Sequence, residues 1–137
     1  MRRRLRHALP LVLLAALTTA ACEDTPIIEP DPPELVTVPF SGTLTVNGAV
    51  THRFTTQGSG DINVTLKTLT PDTTGVGLSL GAWTGASCNL TIVEANALPN
   101  SKLIGNATAS GEFCTRIADD LGRLTGPVSY EIEVTHF

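Results

Sequence analysis

Aromatic and basic residues are scarce in this sequence, and each scarcity limits what the protein can be. Aromatic residues make up 4% of the 137 residues, so aliphatic side chains must fill any hydrophobic core. Four of the nine basic residues stand among the first six positions, which leaves five basic and thirteen acidic residues, a formal charge of −8, in the rest of the chain. Nucleic acid is therefore not an expected partner, because phosphate backbones bind basic surfaces.

A long hydrophobic run is also missing. The apolar stretch Ala8–Leu17 is too short to cross a bilayer, which needs about 20 residues. It follows an arginine-rich start and precedes the small residues Thr19-Ala20-Ala21. A cationic start, a short apolar run and small residues are typical of a cleaved export signal.

Cys22 directly follows those small residues. The arrangement resembles the lipobox of bacterial lipoproteins, although Thr19 stands where that family prefers Leu. The resemblance implies that residues 1–21 are a lipoprotein signal peptide and that acyl chains on Cys22 anchor the exported protein to a membrane of the bacterial cell envelope. Ordinary cleavage after Ala21, which would leave Cys22 as a free thiol, is the alternative.

Residues 22–39 are expected to form a tether. Glu23–Pro39 holds five prolines and five acidic residues. Proline and repelling charges favour an extended spacer of about 3.1 Å per residue, which would reach roughly 50 Å from the bilayer. A disordered leader is the alternative interpretation.

From Phe40 onward the apolar residues recur with a period of two, and no stretch after Cys22 shows a convincing helical pattern. The alternating apolar sets are Phe40, Leu44 and Val46; Val50, His52 and Phe54; Ile62, Val64 and Leu66; Val76, Leu78 and Leu80; and Val128, Tyr130, Ile132 and Val134. Seven or eight short strands separated by turn residues predict an all-β fold, an antiparallel β-sandwich, over residues 40–137. Asn47-Gly48 is a strong signal for a two-residue hairpin, so Ala49–Thr56 is expected to return antiparallel to the first strand.

The cysteine count supports the anchor. If Cys22 is acylated, Cys88 and Cys114 remain as an even pair in an exported protein, which favours a disulfide worth about 3–4 kcal/mol. A metal site is a poor alternative, because no His cluster lies near the two cysteines. Strict alternation places Cys88 on an inner face and Cys114 on an outer face. Pairing therefore requires a bulge near Cys88, or Cys88 in the loop before its strand.

Several short segments occur in the order seen in bacterial pre-peptidase C-terminal (PPC) domains. They are Phe40–Leu44, Asn47-Gly48, Thr51–Phe54, Asp61–Leu66, Gly111–Ile117 and Tyr130–Val134. The resemblance implies a compact, jelly-roll-like β-sandwich. Thr51 and His52 depart from the Asp and the aromatic residue that the family often has. Family members are often appended to secreted proteases and some related domains bind calcium or collagen, but neither role transfers to this sequence on its own.

Catalytic chemistry has little support in the sequence. His52 alternates with core residues, so we expect a half-buried histidine rather than a catalytic base, and His136 has no indicated partner. Gly77–Gly81 matches the Gly-x-Ser-x-Gly spacing, but it alternates with Val76, Leu78 and Leu80 as a strand does, so it is not the strand-to-helix elbow of α/β-hydrolases, and no oxyanion-loop signature accompanies it. We therefore expect a protein that is not an enzyme. We expect no cofactor either, and Ca²⁺ is the one ion for which the sequence offers candidate ligands.

Asp119 and Asp120 are the candidate calcium ligands. They follow the strand of Cys114 and precede Leu121–Pro127, which we expect to be a hairpin loop. Because Ca²⁺ takes six to eight oxygen ligands, Asp61 or Asp72 would have to join them. Solvated loop charges are the favoured alternative.

Trp83 is a candidate binding residue, either as a stacking platform for a sugar or as a plug over one end of the sandwich, which we favour. Polar side chains on the outer strand faces could also hydrogen-bond a polysaccharide, although such residues are common on exposed strands. They are Thr43, Thr45, Thr55, Asn63 and Thr65.

Together these features predict a lipid-anchored, non-enzymatic surface or periplasmic module that binds an unknown protein or polysaccharide. One alternative is a calcium-assisted carbohydrate- or protein-binding domain, whose melting temperature calcium would raise. Another is an accessory domain for secretion or folding of a separate hydrolase, with which it would co-purify.

Overall fold

Eight β-strands and no helix make up the part of the chain that the computed structural model describes, residues 31, 33–71 and 74–137. The strands are β1 (Val36–Leu44), β2 (Ala49–Thr56), β3 (Gly60–Thr70), β4 (Val76–Trp83), β5 (Cys88–Ala97), β6 (Lys102–Ala107), β7 (Gly111–Ala118) and β8 (Val128–His136). The predicted signal peptide, Cys22 and most of the predicted tether lie outside the described residues. A search of the described residues for a helix long and apolar enough to cross a membrane finds none.

The strands form two four-stranded antiparallel sheets packed face to face, which confirms the predicted β-sandwich. Sheet 1 has the order β1-β8-β3-β6 and sheet 2 the order β2-β7-β4-β5. The pairs β1–β8, β2–β7, β3–β6 and β4–β5 are nested, so the chain is one long antiparallel ribbon folded over on itself. Nested pairs split over two sheets give the strand arrangement of an eight-stranded jelly roll.

The core lies between the sheets and is mainly aliphatic, as the low aromatic content predicted. Its fully buried members include Leu44, Ile62, Leu66, Leu78, Ile117 and Ile132. In β4 the outward-facing residues are buried as well as the inward-facing ones. The main chain of Asn89 lies against Gly81, and the Asp120 carboxylate lies close to Gly77. The outer face of sheet 2 is therefore partly covered by the protein's own chain.

The predicted hairpin at Asn47-Gly48 is wrong. A turn forms one residue earlier, over residues 45–48, with the Gly48 amide donating to the Thr45 carbonyl over 2.9 Å, and it carries the chain from β1 in sheet 1 to β2 in sheet 2. Asn47 has a φ of 52° while Gly48 does not have a positive φ, whereas a type I′ hairpin turn needs positive φ at both central residues. Val46, predicted on the core face, lies in this turn and is 42% exposed.

The hairpin of the ribbon is the connection between β4 and β5. The Thr84 amide donates to the Ser87 carbonyl over 2.9 Å, and Gly85 between them has a φ of 89°.

The first strand begins earlier than its alternation indicated. Val36–Pro39 fall within the predicted tether, but they pair with β8 from His136 to Glu133.

A disulfide joins Cys88 and Cys114, whose Cα atoms are 5.8 Å apart. The register of β4 and β5 shifts between Leu80 and Gly81, so that Leu80 pairs with Ile92 and Gly81 with Leu90. This is the bulge that pairing of the two cysteines required. It reverses the face on which the start of β5 lies and brings Cys88 over the outer face of sheet 2, where Cys114 is.

Candidate functional site

A groove crosses the outer face of sheet 2 beside β4, β5 and the segment that follows β7. Its volume is about 200 Å³. It is lined by Gly75, Val76, Gly77, Val93, Ala95, Ala118, Asp119, Asp120 and Leu121. The outer face of an antiparallel sheet is normally polar, so a groove lined mainly by small and apolar residues needs an explanation.

Two exposed aliphatic side chains border the groove. Val93 is 58% exposed and Leu121 is 55% exposed. Gly75 and Gly77 form part of the floor, and a Cβ at either position would crowd a polar side chain, that of Asn96 at Gly75 and that of Asp120 at Gly77. Their lack of a side chain lets these two polar groups approach the main chain at the margins of the groove.

Asp120 is neutralised by Arg116 through two hydrogen bonds of 2.9 and 2.8 Å. These bonds hold the pKa of Asp120 below its ordinary value, against an opposing effect of burial. The Arg116 guanidinium also stays charged, because the same bonds raise its pKa.

Arg123 lies near Gly75 and is exposed. Its guanidinium donates a hydrogen bond to the Asn96 side-chain oxygen, which lies against Gly75. Among the described residues, no carboxylate comes within 4.0 Å of it, since the ion pairs there are Lys67–Glu133 and Arg116–Asp120. A neutralised acid, Asp120, thus lines the groove, and beside it lies a cation, Arg123, that no carboxylate of the described residues approaches within 4.0 Å.

Asp119 is not a solvated loop charge, as the favoured alternative held, because it is only 4% exposed. Its carboxylate accepts hydrogen bonds from the main-chain amides of Asn47 at 3.0 Å, Arg123 at 2.7 Å and Leu124 at 3.3 Å. The Asn47 bond is the main reason that the pKa of Asp119 lies below its ordinary value, and burial opposes it. Asp119 joins the turn after β1 to the segment between β7 and β8.

That segment is not the predicted hairpin loop, because β7 lies in sheet 2 and β8 in sheet 1. A cation held by Asp119 and Asp120 would compete with three amide bonds to Asp119 and with the Arg116 ion pair of Asp120. Asp61, a candidate third ligand, accepts a bond from Asn106 in sheet 1, and Asp72 is outside the described residues. The described residues contain no group of three or more His, Cys, Asp or Glu placed to hold a metal ion.

Trp83 ends β4 and is partly buried. The Arg53 guanidinium lies over its ring, with Cζ 4.9 Å from the ring centroid, and the indole N–H is buried with no hydrogen-bond partner among the described residues. A sugar stacking on Trp83 would therefore have to use the other ring face or displace Arg53.

His52 lies on the core side of β2, as predicted, and contacts sheet 1. Its Nε2 is 2.9 Å from the Tyr130 hydroxyl, and its ring stacks on Phe40 at a centroid distance of 4.7 Å. Burial lowers the pKa of His52 and raises that of Tyr130. His136 is 3% exposed and stacks on Phe54, so both histidines pack within the sandwich.

The predicted polar surface is divided. Thr43, Asn63 and Thr65 belong to sheet 1, Thr55 belongs to sheet 2, and Thr45 lies in the turn between β1 and β2. These five residues do not form one binding face.

The groove was not predicted from the sequence, where its signal is weak. Gly77 and Ala95 are small residues at strand positions that normally carry larger polar side chains, Gly75 directly precedes β4, and Leu121 is an apolar residue in a connection. The three segments meet only because β4 pairs with both β5 and β7.

Neither a model of a known protein family nor a curated protein sequence matches this chain.

Proposed function

We propose that this protein is a lipid-anchored, non-enzymatic binding module of the bacterial cell envelope, and that the groove on sheet 2 is its contact surface for a partner protein. The observation that carries the proposal is the exposed apolar lining of that groove. Exposed apolar patches are typical of protein interaction sites, and Val93 and Leu121 are among the most exposed large apolar side chains of the described residues.

The energetics favour contact with another chain. Full burial of a valine or leucine side chain contributes about 1.5–3 kcal/mol. Covering Val93 and Leu121, each more than half exposed, would therefore supply a useful part of a binding free energy. The groove lies on strands fixed by the bulged β4–β5 pairing and the disulfide, so little ordering is needed on binding.

The anchor rests on the lipobox-like residues before Cys22, and the PPC-like segments agree with an exported domain. Mass spectrometry of the mature N-terminus tests it: we expect a chain that begins at Cys22 and carries acyl groups. An unmodified Cys22, or another first residue, would refute the anchor and leave the groove to be judged separately.

Site-specific photo-crosslinking in the bacterium that produces the protein tests the groove. A photoreactive residue at Val93 or Leu121 is expected to give a discrete protein adduct, which Ala95→Glu should abolish by placing a charge in the groove. The matched control is Ile104, 60% exposed on β6 in the other sheet. Equal adducts from position 104, or none from positions 93 and 121, would contradict the proposal.

A further inference from the structure

We infer that the partner segment is an extended peptide with small apolar side chains and a carboxylate that pairs with Arg123. The inference rests on the proposed function, since it specifies the chemistry of the ligand in the same groove.

Arg123 is held in place from both ends. Its main-chain amide donates to the buried Asp119 carboxylate over 2.7 Å, and its guanidinium donates to the Asn96 side chain. The Asn96 main-chain amide is in turn fixed by the Glu94 carboxylate over 3.0 Å. An arginine guanidinium has five donors, and a single bond to Asn96 leaves most of them for a ligand.

Arg123 is the place beside the groove that suits an anion. Asp120 is paired with Arg116, whereas Asp119 and Glu94 keep their negative charge and accept hydrogen bonds from main-chain amides. Among the described residues, no carboxylate lies within 4.0 Å of the Arg123 guanidinium. A carboxylate suits it, because guanidinium groups bind carboxylates through paired charge-assisted bonds.

The size of the groove favours side chains of a peptide. Pockets that enclose a whole drug-sized ligand measure about 300–1,000 Å³, whereas this groove measures about 200 Å³. It has room for small aliphatic side chains presented one after another along β5.

The experiment measures binding of labelled peptides to the mature lipoprotein in phosphatidylcholine nanodiscs by fluorescence anisotropy. The probes are amidated Ala-Val-Ala-Val-Glu, its glutamine analogue, and Ala-Val-Ala-Val-Ala with a free C-terminal carboxylate. We expect one or both carboxylate peptides to bind about tenfold more tightly than the glutamine peptide, as expected for a charge-assisted bond. Comparison of the glutamate peptide with the peptide that has a free C-terminal carboxylate shows whether the recognised carboxylate belongs to a side chain or to a chain end.

Arg123→Gln should reduce the affinity for the carboxylate peptides to that for the glutamine peptide. Lys102→Gln is the matched control, because it removes the same charge from an exposed position on β6 and should change nothing. Equal affinity for all three peptides, with binding still lost in Leu121→Ser, would overturn the inference and leave the proposed function standing. No binding of any peptide, or binding unaffected by Leu121→Ser, would overturn both. Arg123-dependent binding to phosphatidylglycerol vesicles, without peptide binding, would likewise overturn the inference in favour of a lipid headgroup.

Discussion

At the scale of single residues, Asp119 shows how a surface loop acquires a buried charge. The carboxylate binds main-chain amides from two connections that both cross between the sheets, the turn at Asn47 and the segment at Arg123 and Leu124. Amides in connections lack strand partners, so a buried carboxylate that accepts several of them satisfies groups that would otherwise be unpaired.

Asp119→Asn is expected to lower the melting temperature by roughly 5 °C or more, because an amide nitrogen would then face a main-chain N–H. Calorimetry at pH 7 measures the effect. Asp120→Asn is the control, since Asp120 is exposed and its ion pair with Arg116 should be worth at most about 2 °C. Because the pKa of Asp119 is lowered on folding, its contribution should persist above its ordinary pKa and disappear as the pH falls through its folded pKa. Equal shifts for the two variants would refute this role for Asp119.

His52 should make the sandwich sensitive to mild acid. Burial against Phe40 and Tyr130 lowers its pKa below the ordinary value of 6.5. Below pH 6.5 the unfolded chain therefore binds a proton that the folded protein does not yet bind, so the free energy of unfolding falls until the pH reaches the folded pKa. Between pH 7 and pH 5 the melting temperature should fall more in the unmodified protein than in His52→Gln. Identical pH profiles for the two proteins would contradict this account.

At the scale of elements, the β4–β5 hairpin is shaped by a glycine. The bulge after Leu80 folds the start of β5 over β4, and the Asn89 carbonyl then lies where a side chain on Gly81 would be. The same fold carries Cys88 to Cys114. The hairpin can lie flat on the outer face only because Gly81 has no Cβ.

Gly81→Ala should therefore destabilise the protein by about 1–3 kcal/mol, the usual cost of overpacking. Urea unfolding of the oxidised protein measures this free energy. Gly126→Ala is the matched control, because a Cβ there would meet no atom within 4 Å, and its effect should stay within about 0.5 kcal/mol. A similar loss in both variants would show that the Asn89 contact does not limit position 81.

At the scale of the whole molecule, the nested ribbon brings distant parts of the chain together. The outermost pair joins β1 to β8, where Thr37 and Thr135, 98 positions apart, lie within hydrogen-bond distance. The two ends of the described domain therefore stabilise each other, and the place where the domain begins affects its stability.

Two shortened chains test that boundary. A chain that begins at Asp31 keeps all of β1, whereas one that begins at Phe40 loses Val36–Pro39 and four of the pairs with β8. Each cross-strand pair contributes about 0.2–1 kcal/mol, so the shorter chain should melt roughly 10 °C lower by circular dichroism. Equal melting temperatures would place the start of the stable domain at Phe40.

Much of the fold could be predicted because strand faces are a local property. The alternation through Ile62, Val64 and Leu66 identifies the core face of β3 without knowledge of its neighbours, and the odd cysteine count predicts the Cys88–Cys114 pair. The conflict between strict alternation and that disulfide predicted either a bulge near Cys88 or Cys88 in the loop before its strand, and the structure has the bulge, opposite Leu80 and Gly81. The candidate site was much less predictable, since its residues carry no recognisable catalytic or metal-binding spacing.

The sequence by itself determined the fold class, most of the core faces and, once Cys22 is set aside, the disulfide partners, because the period-two pattern and the cysteine count need no distant information. Val46 and the start of β5 are the exceptions among the core faces. Only the tertiary structure decided that Asn47-Gly48 lies in a connection between the sheets, since an Asn-Gly pair fits more than one turn geometry, and the pairing of β1 with β8 and β2 with β7 selects between them. The groove likewise depends on the tertiary structure. Its floor, its apolar border and Arg123 come from three separate segments that meet only when β4 lies between β5 and β7.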